Sequence, residues 1–340
     1  MKSPSAFKLT ICIPTFNRAR FIGQALDSII PQCSEECEIV VSDNASTDDT
    51  EQVVAEYARG FDRLRYVRQE QNKGSDRNCD YLVSLATGEY CWLFSDDDVM
   101  KAGAIATVLD VVRQGHSLVL VNGEHKDFTM SSVRVPSFFG IDSDRLYSFG
   151  EFNRLFDDVG TCIMCLCCVV IKRSLWITRE RQRYYGSWFL HTAVVFQQPI
   201  PGTTYVIGKP LMSLRLDNDQ TAQAASFHVW HMSWPELLWS FPLSESTRKR
   251  LFGPKPWTRL RYLLAVRAAG QYSRADYERW LRPRMNGLTD RIIPTFVALL
   301  PTNMAKHLYA ICSLASGGPK SADDALCVNF PKSLRVLRST

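Results

Sequence analysis

The stretch Tyr90-Cys91-Trp92-Leu93-Phe94-Ser95-Asp96-Asp97-Asp98-Val99 joins an apolar run to three adjacent carboxylates. The apolar run predicts a buried strand, and three neighbouring negative charges repel one another unless a cation or water relieves them. In an open α/β sheet, ligands bind outside the carboxyl ends of the strands. Carboxylates suit Mg2+ or Mn2+, which proteins hold with one or two carboxylates and substrate phosphates. The stretch therefore predicts a cation site at a strand end; the alternative is an Asp-rich turn that caps a helix beginning near Lys101.

Outward from this stretch, the first 95 residues alternate strand and helix patterns. Strands are predicted over residues 8–16, 38–42, 64–68 and 88–94, and helices over about 19–30, 47–59 and 76–86. Ser46 or Thr47 is the expected cap of the second helix. This alternation is typical of the α/β class, in which helices cover a mostly parallel sheet.

Polar residues follow three of these strands, at Thr15 to Asn17, Asp43 to Ser46 and Asp96 to Asp98. Because the carboxyl ends of parallel strands open at one edge of a sheet, we expect these residues to converge. Short polar side chains there can bind a nucleoside, with Asp43 accepting hydrogen bonds from base or ribose. Arg77 and Asn78, at the start of the third helix, are expected to reach the same cleft. Each residue alone also suits a cap or a turn, so the prediction depends on their coincidence at one edge.

The composition is that of a globular chain, long enough for one large or two smaller domains. No run of about 18 uncharged apolar residues occurs, and the first residues lead into the first strand without a signal sequence, so we expect a cytoplasmic protein. Four of the eleven cysteines, at positions 162, 165, 167 and 168, lie in the apolar run 161–170. We expect buried thiols there. The alternative, a zinc site, lacks a second Cys or His pair at finger spacing.

Charge is divided unevenly along the chain. Residues 241–340 carry 17 Lys and Arg against 6 Asp and Glu, a net charge of +11, whereas residues 1–240 carry 23 against 29, a net charge of −6. A basic, helix-prone tail with apolar faces favours an anionic membrane surface over nucleic acid, because the aromatic and glycine signatures of RNA-binding modules are missing. A solvated helical surface is an equally consistent interpretation.

Together these pieces resemble the inverting nucleotide-sugar glycosyltransferases of family two, which have the GT-A fold. The matching pieces are residues 13–18 (Ile-Pro-Thr-Phe-Asn-Arg), 39–48 (Ile-Val-Val-Ser-Asp-Asn-Ala-Ser-Thr-Asp), 72–74 (Asn-Lys-Gly), 77–78 (Arg-Asn), 88–90 (Gly-Glu-Tyr) and 95–98 (Ser-Asp-Asp-Asp). The resemblance covers roughly residues 8–120. Its last piece is similar to that of bacterial abequosyltransferase-like enzymes, which add a deoxysugar branch to O-antigen.

The resemblance implies roles for the matching residues. The implied donor-binding positions are Pro14, Thr15, Asn17, Arg18, Asp43, Ser46, Arg77, Asn78 and Asp96. It also implies that the acidic motif holds a Mn2+ or Mg2+ ion that bridges the donor diphosphate, with Asp97 as the principal ligand and Asp98 in support. Ser95 stands where the family's usual Asp-x-Asp-Asp pattern has its first Asp. The division of roles among the three carboxylates therefore stays open.

The general base is harder to predict, because many relatives carry a Glu-Asp pair where this chain has Tyr184-Tyr185-Gly186-Ser187-Trp188-Phe189-Leu190-His191. His191, on an otherwise apolar helix, is the nearest replacement, since its pKa suits proton transfer at cytoplasmic pH. A satisfied core histidine is the alternative. Asp157 and Asp158 are rival bases, because they precede a further strand that is predicted over residues 160–173.

Residues 203–214 resemble the strands that close the catalytic domain, and a polar segment follows them. In relatives such a segment folds over the donor phosphates, so Arg215 is expected to neutralise them and Asp217 or Asn218 to complete the metal shell. An ordinary polar loop is the alternative. The implied domains are a GT-A catalytic domain over residues 1–220, divided into a nucleotide-sugar-binding half (1–122) and an acceptor half (123–220), and a helical basic region over 221–340.

The implied reaction is inverting, metal-dependent transfer of one sugar in bacterial surface polysaccharide synthesis. The donor is a CDP-, UDP-, GDP- or dTDP-linked sugar, and the acceptor is a glycan on a polyprenyl diphosphate. The Gln-x-x-Arg-Trp signature of processive synthases is missing, which favours a single addition. Residues 291–300 are too short to span a bilayer but long enough to lie on its inner, cytoplasmic surface. A nucleotidyltransferase and a catalytically silent sugar-nucleotide-binding scaffold are the alternatives.

Overall fold

The computed structural model describes residues 7–216, 227–253 and 255–316. The chain divides into two compact units, the first reaching Leu216 and the second beginning at Asp217. The domain boundary predicted at residue 220 falls in the segment 217–226, outside the described residues. Each unit is considered by itself below.

The first unit is built on a ten-stranded sheet in which eight strands follow the order β3-β2-β1-β4-β9-β6-β10-β5. The strands are β1 (Leu9–Thr15), β2 (Cys37–Asp43), β3 (Leu64–Arg68), β4 (Tyr90–Leu93), β5 (Val99–Met100), β6 (Leu118–Lys126), β7 (Val133–Val135), β8 (Arg145–Tyr147), β9 (Val169–Lys172) and β10 (Thr204–Arg215). Strands β1 to β4 pair in parallel, as do β6 and β10, while β9 is antiparallel to both β4 and β6. The carboxyl ends of β1, β2, β4, β6 and β10 therefore open at one edge of the sheet, hereafter the ligand edge.

Seven helices accompany this sheet: α1 (Ala19–Ile29), α2 (Thr50–Gly60), α3 (Ser75–Leu85), α4 (Ala104–Val112), α5 (Phe152–Val159), α6 (Arg173–Thr178) and α7 (Leu190–Phe196). Helix α1 buries Ile22, Ala25, Leu26 and Ile29, which recur at the helical period. Strand β2 is buried along its whole length, as expected for a parallel strand covered on both faces.

The structure corrects the strand that the sequence predicted over residues 160–173. Only Val169–Lys172 is a strand, because Gly160–Met164 and Leu166–Cys168 form 3-10 turns. The Cys167 carbonyl accepts from the Trp92 indole at 2.8 Å, so a side chain takes the hydrogen bond that a strand neighbour would otherwise make. The apolar run is buried by turning over the sheet. The expectation of thiols is confirmed for the described cysteines, all of which are free.

The start of α2 also differs from the prediction. The helix begins at Thr50, and neither Ser46 nor Thr47 caps it. The Ser46 hydroxyl instead donates to Asp43 at 2.6 Å and accepts from the Asn17 amide at 2.8 Å. These bonds at the ligand edge compete with capping, and the helix starts two to three residues later than predicted.

The described part of the second unit is helical. Its helices are α8 (Trp234–Ser240), α9 (Glu245–Leu251), α10 (Leu260–Ala268), the single turn α11 (Arg274–Asp276), α12 (Leu288–Leu299) and α13 (Thr302–Ser316). Leu263, Val266, Leu281 and Val297 are fully buried and belong to one apolar cluster. Among the described residues, we find no helix whose length and apolar character would let it cross a membrane.

Candidate active site

The ends of β1 and β2 form the first wall of the ligand edge. Thr15 and Asp43 are direct neighbours in the parallel register, and both are buried. Asp43 accepts from the Ser46 amide (2.9 Å) and hydroxyl (2.6 Å) through Oδ1, and from the Tyr66 hydroxyl (2.5 Å) through Oδ2. An ionised carboxylate offers about four lone-pair sites, so a ligand hydroxyl or amide can still be accepted. The carboxylate is thus held in one orientation at the strand end.

The turns after these two strands are strained. Asn17 has φ of 54° and Ala45 has φ of 65°, both in the left-handed region that residues with a Cβ rarely adopt. For Ala45 this costs about 1–2 kcal/mol. The Asn17 side chain accepts from the Thr47 amide at 2.7 Å, which ties one strained turn to the other. Strain retained at two adjacent strand ends is typical of a ligand-binding edge.

Asn78 lies beneath this wall. Its amide nitrogen donates to the Ser42 carbonyl at 2.9 Å, and its oxygen accepts from the Ser42 hydroxyl at 2.6 Å and from Gln69 at 2.7 Å. The residue is 2% exposed. Asn78 therefore braces α3 against the end of β2, and the nucleotide contact predicted for it stays a prediction.

The acidic motif forms the second wall. Asp96, Asp97 and Asp98 are each at most 7% exposed, although they lie at a loop after β4. Arg18 is also buried and approaches Asp96 with 3.3 Å between Nε and Oδ1. Burial, followed by repulsion from Asp97, raises the pKa of Asp96 to about 7, against the lowering effect of Arg18. The raised pKa means that the ionised form of Asp96 is costly at this buried position.

Arg215, at the end of β10, completes this wall. Its amide donates to Asp98 Oδ1 at 2.7 Å, and its Nε donates to the Asp97 carbonyl at 2.9 Å. The guanidinium also bonds Gln24 and the Phe128 carbonyl, so it holds the acidic loop to the neighbouring segments. The phosphate contact predicted for Arg215 stays a prediction. Asp217 and Asn218, the other residues predicted for this segment, lie outside the described residues.

Cys167, which the sequence predicted only as a buried thiol, supports Asp98. The Cys167 thiol donates to Asp98 Oδ2 at 3.0 Å, and its sulfur accepts from the Ser95 amide at 3.1 Å. Desolvation and the charge of Asp97 nevertheless raise the pKa of Asp98 well above its usual range. Ser95, in turn, donates its hydroxyl to Asp97 Oδ1 at 2.5 Å. Each member of the acidic motif is thus oriented by a different partner.

The donor set of this wall suits a hard divalent cation. The ligands are carboxylates, and the raised pKa values of Asp96 and Asp98 record charge that a cation would offset. No group of three or more ligating side chains occurs in the described part of the chain. Mg2+ and Mn2+ do not need one, because substrate phosphates and water supply most of their shell.

His125, at the end of β6, is a second residue that the sequence analysis missed. It is 6% exposed, packs edge-on against Phe138, and neither ring nitrogen has a hydrogen-bond partner within the described residues. Burial lowers its pKa to about 4, so the ring is neutral at neutral pH. The rule that selected Asp43, a polar residue ending an apolar strand, also applies to residues 118–126 and would have found it.

The three predicted bases differ in their hydrogen-bond and ion-pair partners. His191 is buried on α7, and its Nε2 donates to the Met164 carbonyl at 2.8 Å. That bond fixes the neutral tautomer and leaves Nδ1 as the acceptor nitrogen.

The rival acids lie on α5. Asp158 Oδ2 is 2.9 Å from Arg145 and accepts from the Tyr147 hydroxyl at 2.6 Å, so it has both an ion pair and a hydrogen bond. Asp157 is exposed. Arg77 stacks over the Tyr185 ring at 4.4 Å, and the donor contact predicted for it stays a prediction. The structure thus brings together the residues of the acidic motif and of the β1 and β2 ends, while Arg77 and Asp158 have other partners.

Comparisons with known proteins agree with this geometry. Residues 10–177 match the model of glycosyl transferase family 2. Abequosyltransferase RfbV from Salmonella typhimurium is 27% identical over 294 residues, which cover 80% of this chain and 86% of that protein. GalNAc(5)-diNAcBac-PP-undecaprenol beta-1,3-glucosyltransferase from Campylobacter jejuni is 34% identical over 116 residues, or 34% of this chain and 38% of that protein.

Solved structures show the same fold. Residues 1–349 of TarS from S. aureus, in complex with UDP, align with a TM-score of 0.58 at 17% identity, covering 97% of this chain and 91% of that one. The same TarS segment in complex with UDP-GlcNAc aligns with a TM-score of 0.56 at 16% identity. The predicted α/β fold of GT-A type, with helices at its carboxyl end, is confirmed.

Proposed function

We propose that this chain, which belongs to glycosyl transferase family 2 and is a sugar transferase of surface polysaccharide synthesis, carries out inverting transfer of a single sugar to a lipid-linked glycan. The observation that carries the proposal is the ligand edge, where three buried carboxylates meet two buried arginines, Arg18 and Arg215. Burial and repulsion from Asp97 raise the pKa of Asp96 and of Asp98, so these carboxyls are costly to ionise without a cation. A cation bound there would favour their ionised forms and offset the charge of a diphosphate, as a metal-assisted nucleotide-sugar enzyme requires.

The donor is proposed to bind between the two walls. Asp43 accepts hydrogen bonds from the base or ribose, and Pro14, Thr15, Asn17, Arg18, Ser46 and Asp96 complete the donor contacts at the adjacent turns. Mn2+ or Mg2+ is proposed to be held by Asp97, with Asp98 in support, and when bound it offsets charge on the leaving diphosphate. Arg18 and Arg215 position the carboxylates that do this.

His191 is proposed to take the proton of the acceptor hydroxyl. Its Nε2–H is fixed on Met164, so Nδ1 carries the free lone pair, and burial lowers its pKa, which keeps the ring neutral. As the proton moves to Nδ1, the hydroxyl oxygen bonds the anomeric carbon and the bond from that carbon to the nucleoside diphosphate breaks, inverting the centre. Asp157 and Asp158 are the alternative bases.

The substrates are proposed by analogy with relatives. The names of two relatives specify abequosyl transfer and a polyprenyl-diphosphate-linked acceptor, and a structural neighbour binds UDP and UDP-GlcNAc. For this chain we propose a CDP-, UDP-, GDP- or dTDP-sugar donor and a polyprenyl-diphosphate-linked glycan acceptor, with no nucleic-acid partner.

A thermal-shift screen of the four nucleotide-sugar classes, with and without Mn2+, tests the donor proposal. One class should raise the melting temperature, and more so with Mn2+, because ligands that bind only the folded state stabilise it by mass action. The selected donor should then release nucleoside diphosphate in the presence of a lipid-linked glycan. Absence of nucleoside diphosphate release with every donor would favour the silent scaffold.

The second unit supports a contact with the membrane surface. On α12, Leu288, Ile292, Phe296 and Leu299 are 83%, 65%, 49% and 60% exposed. At 100° per residue they fall within an arc of about 80°. Another face of the same helix is buried through Pro294, Val297 and Ala298. An exposed apolar stripe on a helix suits a lipid interface, and the net charge of +11 over residues 241–340 favours anionic lipid. We propose that this stripe lies on the cytoplasmic surface of the membrane.

Vesicle flotation tests this contact. Wild type should bind vesicles containing phosphatidylglycerol more tightly than vesicles of phosphatidylcholine alone. Ile292→Gln with Phe296→Gln should weaken binding by about a hundredfold, because each side chain loses about 1.5–3 kcal/mol of apolar burial. Leu146→Gln with Phe149→Gln, equally exposed in the first unit, is the matched control. Equal binding of all three proteins would exclude the stripe as the contact.

A further inference from the structure

A cavity of about 370 Å³ lies beside α3 and adjoins the first wall of the ligand edge. Its lining residues are Gln69, Lys73, Arg77, Asp80, Tyr81, Val83, Ser84, Arg173, Trp176, Ile177, Arg181 and Tyr185. The Lys73 amide donates to Asn44 Oδ1 at 2.9 Å and the Gln69 side chain donates to Asn78 at 2.7 Å, so two lining residues contact that wall. None of Thr15, Asp43 and the acidic motif belongs to the lining. The volume lies within the usual range for small-molecule sites, so the cavity is a further candidate site next to that wall.

The walls of this cavity are held together by one carboxylate. Asp80, on α3, is 2.9 Å from the Arg181 guanidinium, and it accepts from the Trp176 indole at 3.1 Å and the Tyr185 hydroxyl at 2.5 Å. Arg173 bonds the Val83 carbonyl at 3.2 Å. These contacts fix the positions of α6 and residues 181–185 against α3. The cavity is thus preformed, which lowers the ordering cost of binding.

The charge of the cavity is strongly positive. Four lining residues are cationic and one, Asp80, is anionic, and Asp80 is already paired with Arg181. Lys73 and Arg77 are exposed and have no carboxylate partner among the residues that the structure describes. Arg77 is held in place by stacking on Tyr185 at 4.4 Å. Two cations on neighbouring turns of one helix start are suited to phosphate oxygens, which Arg binds in a forked geometry and Lys as a point charge.

Apolar side chains adjoin these cations. Tyr81 and Ile177 are 40% and 47% exposed, although both are large apolar residues. Both line the cavity together with the buried Trp176. An anionic ligand with an apolar portion matches both halves of the lining better than a small inorganic ion does.

We propose that this cavity binds the diphosphate head of the polyprenyl-linked acceptor, with the phosphates on Lys73 and Arg77 and the first isoprene units on Tyr81 and Ile177. The inference rests on the proposed lipid-linked acceptor and adds the place where its carrier is held. It also gives Arg77 a role other than the donor contact that the sequence predicted. Recognition of the carrier diphosphate lets the enzyme select diphosphate-linked acceptors over free glycans.

Calorimetric titration of the full chain with farnesyl diphosphate, below its micellar concentration, tests the site directly. Lys73→Ala with Arg77→Ala should weaken binding at least tenfold, because each charged hydrogen bond contributes about 1.5–3 kcal/mol. Arg134→Ala with Lys209→Ala removes the same two side-chain types from exposed positions outside the cavity and should leave the affinity unchanged. Inorganic pyrophosphate should bind at least about tenfold more weakly than farnesyl diphosphate, since it lacks the apolar portion.

The inference would be overturned if the Lys73 and Arg77 double variant kept wild-type affinity for farnesyl diphosphate, or if the control variant lost as much affinity. A parallel loss of nucleotide-sugar affinity in the double variant would also overturn it, because Arg77 would then be a donor contact. Equal affinity for pyrophosphate and farnesyl diphosphate would identify a soluble diphosphate as the ligand and remove the lipid carrier. The titration needs no turnover. If the enzyme transfers sugar but farnesyl diphosphate does not bind this cavity, the inference is wrong and the proposed function remains. If farnesyl diphosphate binds the cavity but the enzyme transfers no sugar, only the proposed function is wrong.

Discussion

Two groups of acidic and basic side chains, at the ligand edge and on α5, differ in how their charge is compensated. Asp96, Asp97 and Asp98 are buried, and the pKa values of the first and last are raised because desolvation and mutual repulsion exceed the effect of the arginines. Asp158 is partly exposed and satisfied by Arg145 and Tyr147. Keeping the first group ionised costs free energy when no ligand is bound, whereas the charge of Asp158 is already stabilised by its partners.

This contrast distinguishes carboxylates that a bound cation would stabilise from carboxylates that neighbouring side chains already stabilise. A buried, under-compensated carboxylate cluster is retained at a cost of several kcal/mol only if it serves binding or catalysis. A carboxylate with an ion pair and a tyrosine needs no such explanation. His191 falls between the two, since one nitrogen is bonded and the other is available. The predictions below test this ranking, from the largest expected effect to the smallest.

Asp97→Ala should reduce turnover by about a thousandfold, because the leaving diphosphate would lose the ion that offsets its charge. The response of turnover to added Mn2+ should disappear with it. Steady-state kinetics across a Mn2+ titration measures both. Asp97→Asn, which keeps the shape of the side chain, should be nearly as inactive, because its amide is a poor metal ligand.

The assignment of Asp97 as the metal ligand is wrong if Asp97→Ala keeps both wild-type turnover and the wild-type response to Mn2+. The metal would then be assigned elsewhere, and the raised pKa values of Asp96 and Asp98 would need another cause. Asp158→Asn is the control from α5. It should lower the melting temperature through loss of the Arg145 ion pair while turnover stays within a few-fold of wild type.

His191→Gln should lower kcat by about a hundredfold and leave donor affinity unchanged. A glutamine amide can still donate to the Met164 carbonyl, as Nε2 does now, but it supplies no basic nitrogen at the Nδ1 position. The substitution therefore separates proton transfer from packing. Pre-steady-state turnover and donor titration on the same preparation provide the two readouts.

Full turnover in His191→Gln would show that the ring is only a core residue. The base would then be sought at Asp157 or Asp158, with the corresponding Asn variants measured over pH 5 to 9. His191→Ala alone cannot decide the question, because it removes packing and the Met164 bond at once.

The sequence predicted the ligand edge well because that edge is built from local rules. Polar residues after apolar strands, at Asp43 and Asp96 to Asp98, can be placed from strand ends alone, since parallel strands must open on the same side. The partners of these residues could not be placed in this way. Cys167 reaches Asp98 from 69 positions away and Arg215 from 117, and such contacts follow from the antiparallel insertion of β9 between β4 and β6, which no local pattern records.

The same limit explains the errors. The run 160–168 is as apolar as a strand, yet it turns because side chains such as Trp92 take its backbone hydrogen bonds. The donor contact predicted for Arg77 stays a prediction, and the orientation of its side chain depends on Tyr185, 108 residues later. A sequence pattern gives the position of a residue along an element, whereas its orientation depends on distant packing.

Cys167→Ala should lower the free energy of unfolding by about 1–3 kcal/mol, because Asp98 would lose a hydrogen-bond donor while remaining buried. Cys167→Ser keeps a donor of similar size and should restore most of that loss. Urea denaturation of the three proteins measures the difference. If Ala and Ser variants are equally stable, the thiol contributes packing alone and the orientation of Asp98 has another origin.

His125 offers the smallest effect and the most direct view of an unpaired group beside the acidic motif. Its folded pKa of about 4 lies below the usual value of 6.5, so between these values the unfolded chain binds the proton that the folded chain refuses. Stability contributed by the neutral ring is therefore complete above pH 6.5 and is lost as pH falls toward 4. Between pH 7 and pH 5 the free energy of unfolding should fall by about 1–2 kcal/mol more in wild type than in His125→Phe.

Urea denaturation at the two pH values measures this difference, and His307→Gln, at an exposed position, is a control that should follow wild type. Parallel losses in wild type and His125→Phe would mean that the ring is hydrated in solution, and the contrast between satisfied and unsatisfied groups at this edge would then rest on the carboxylates alone.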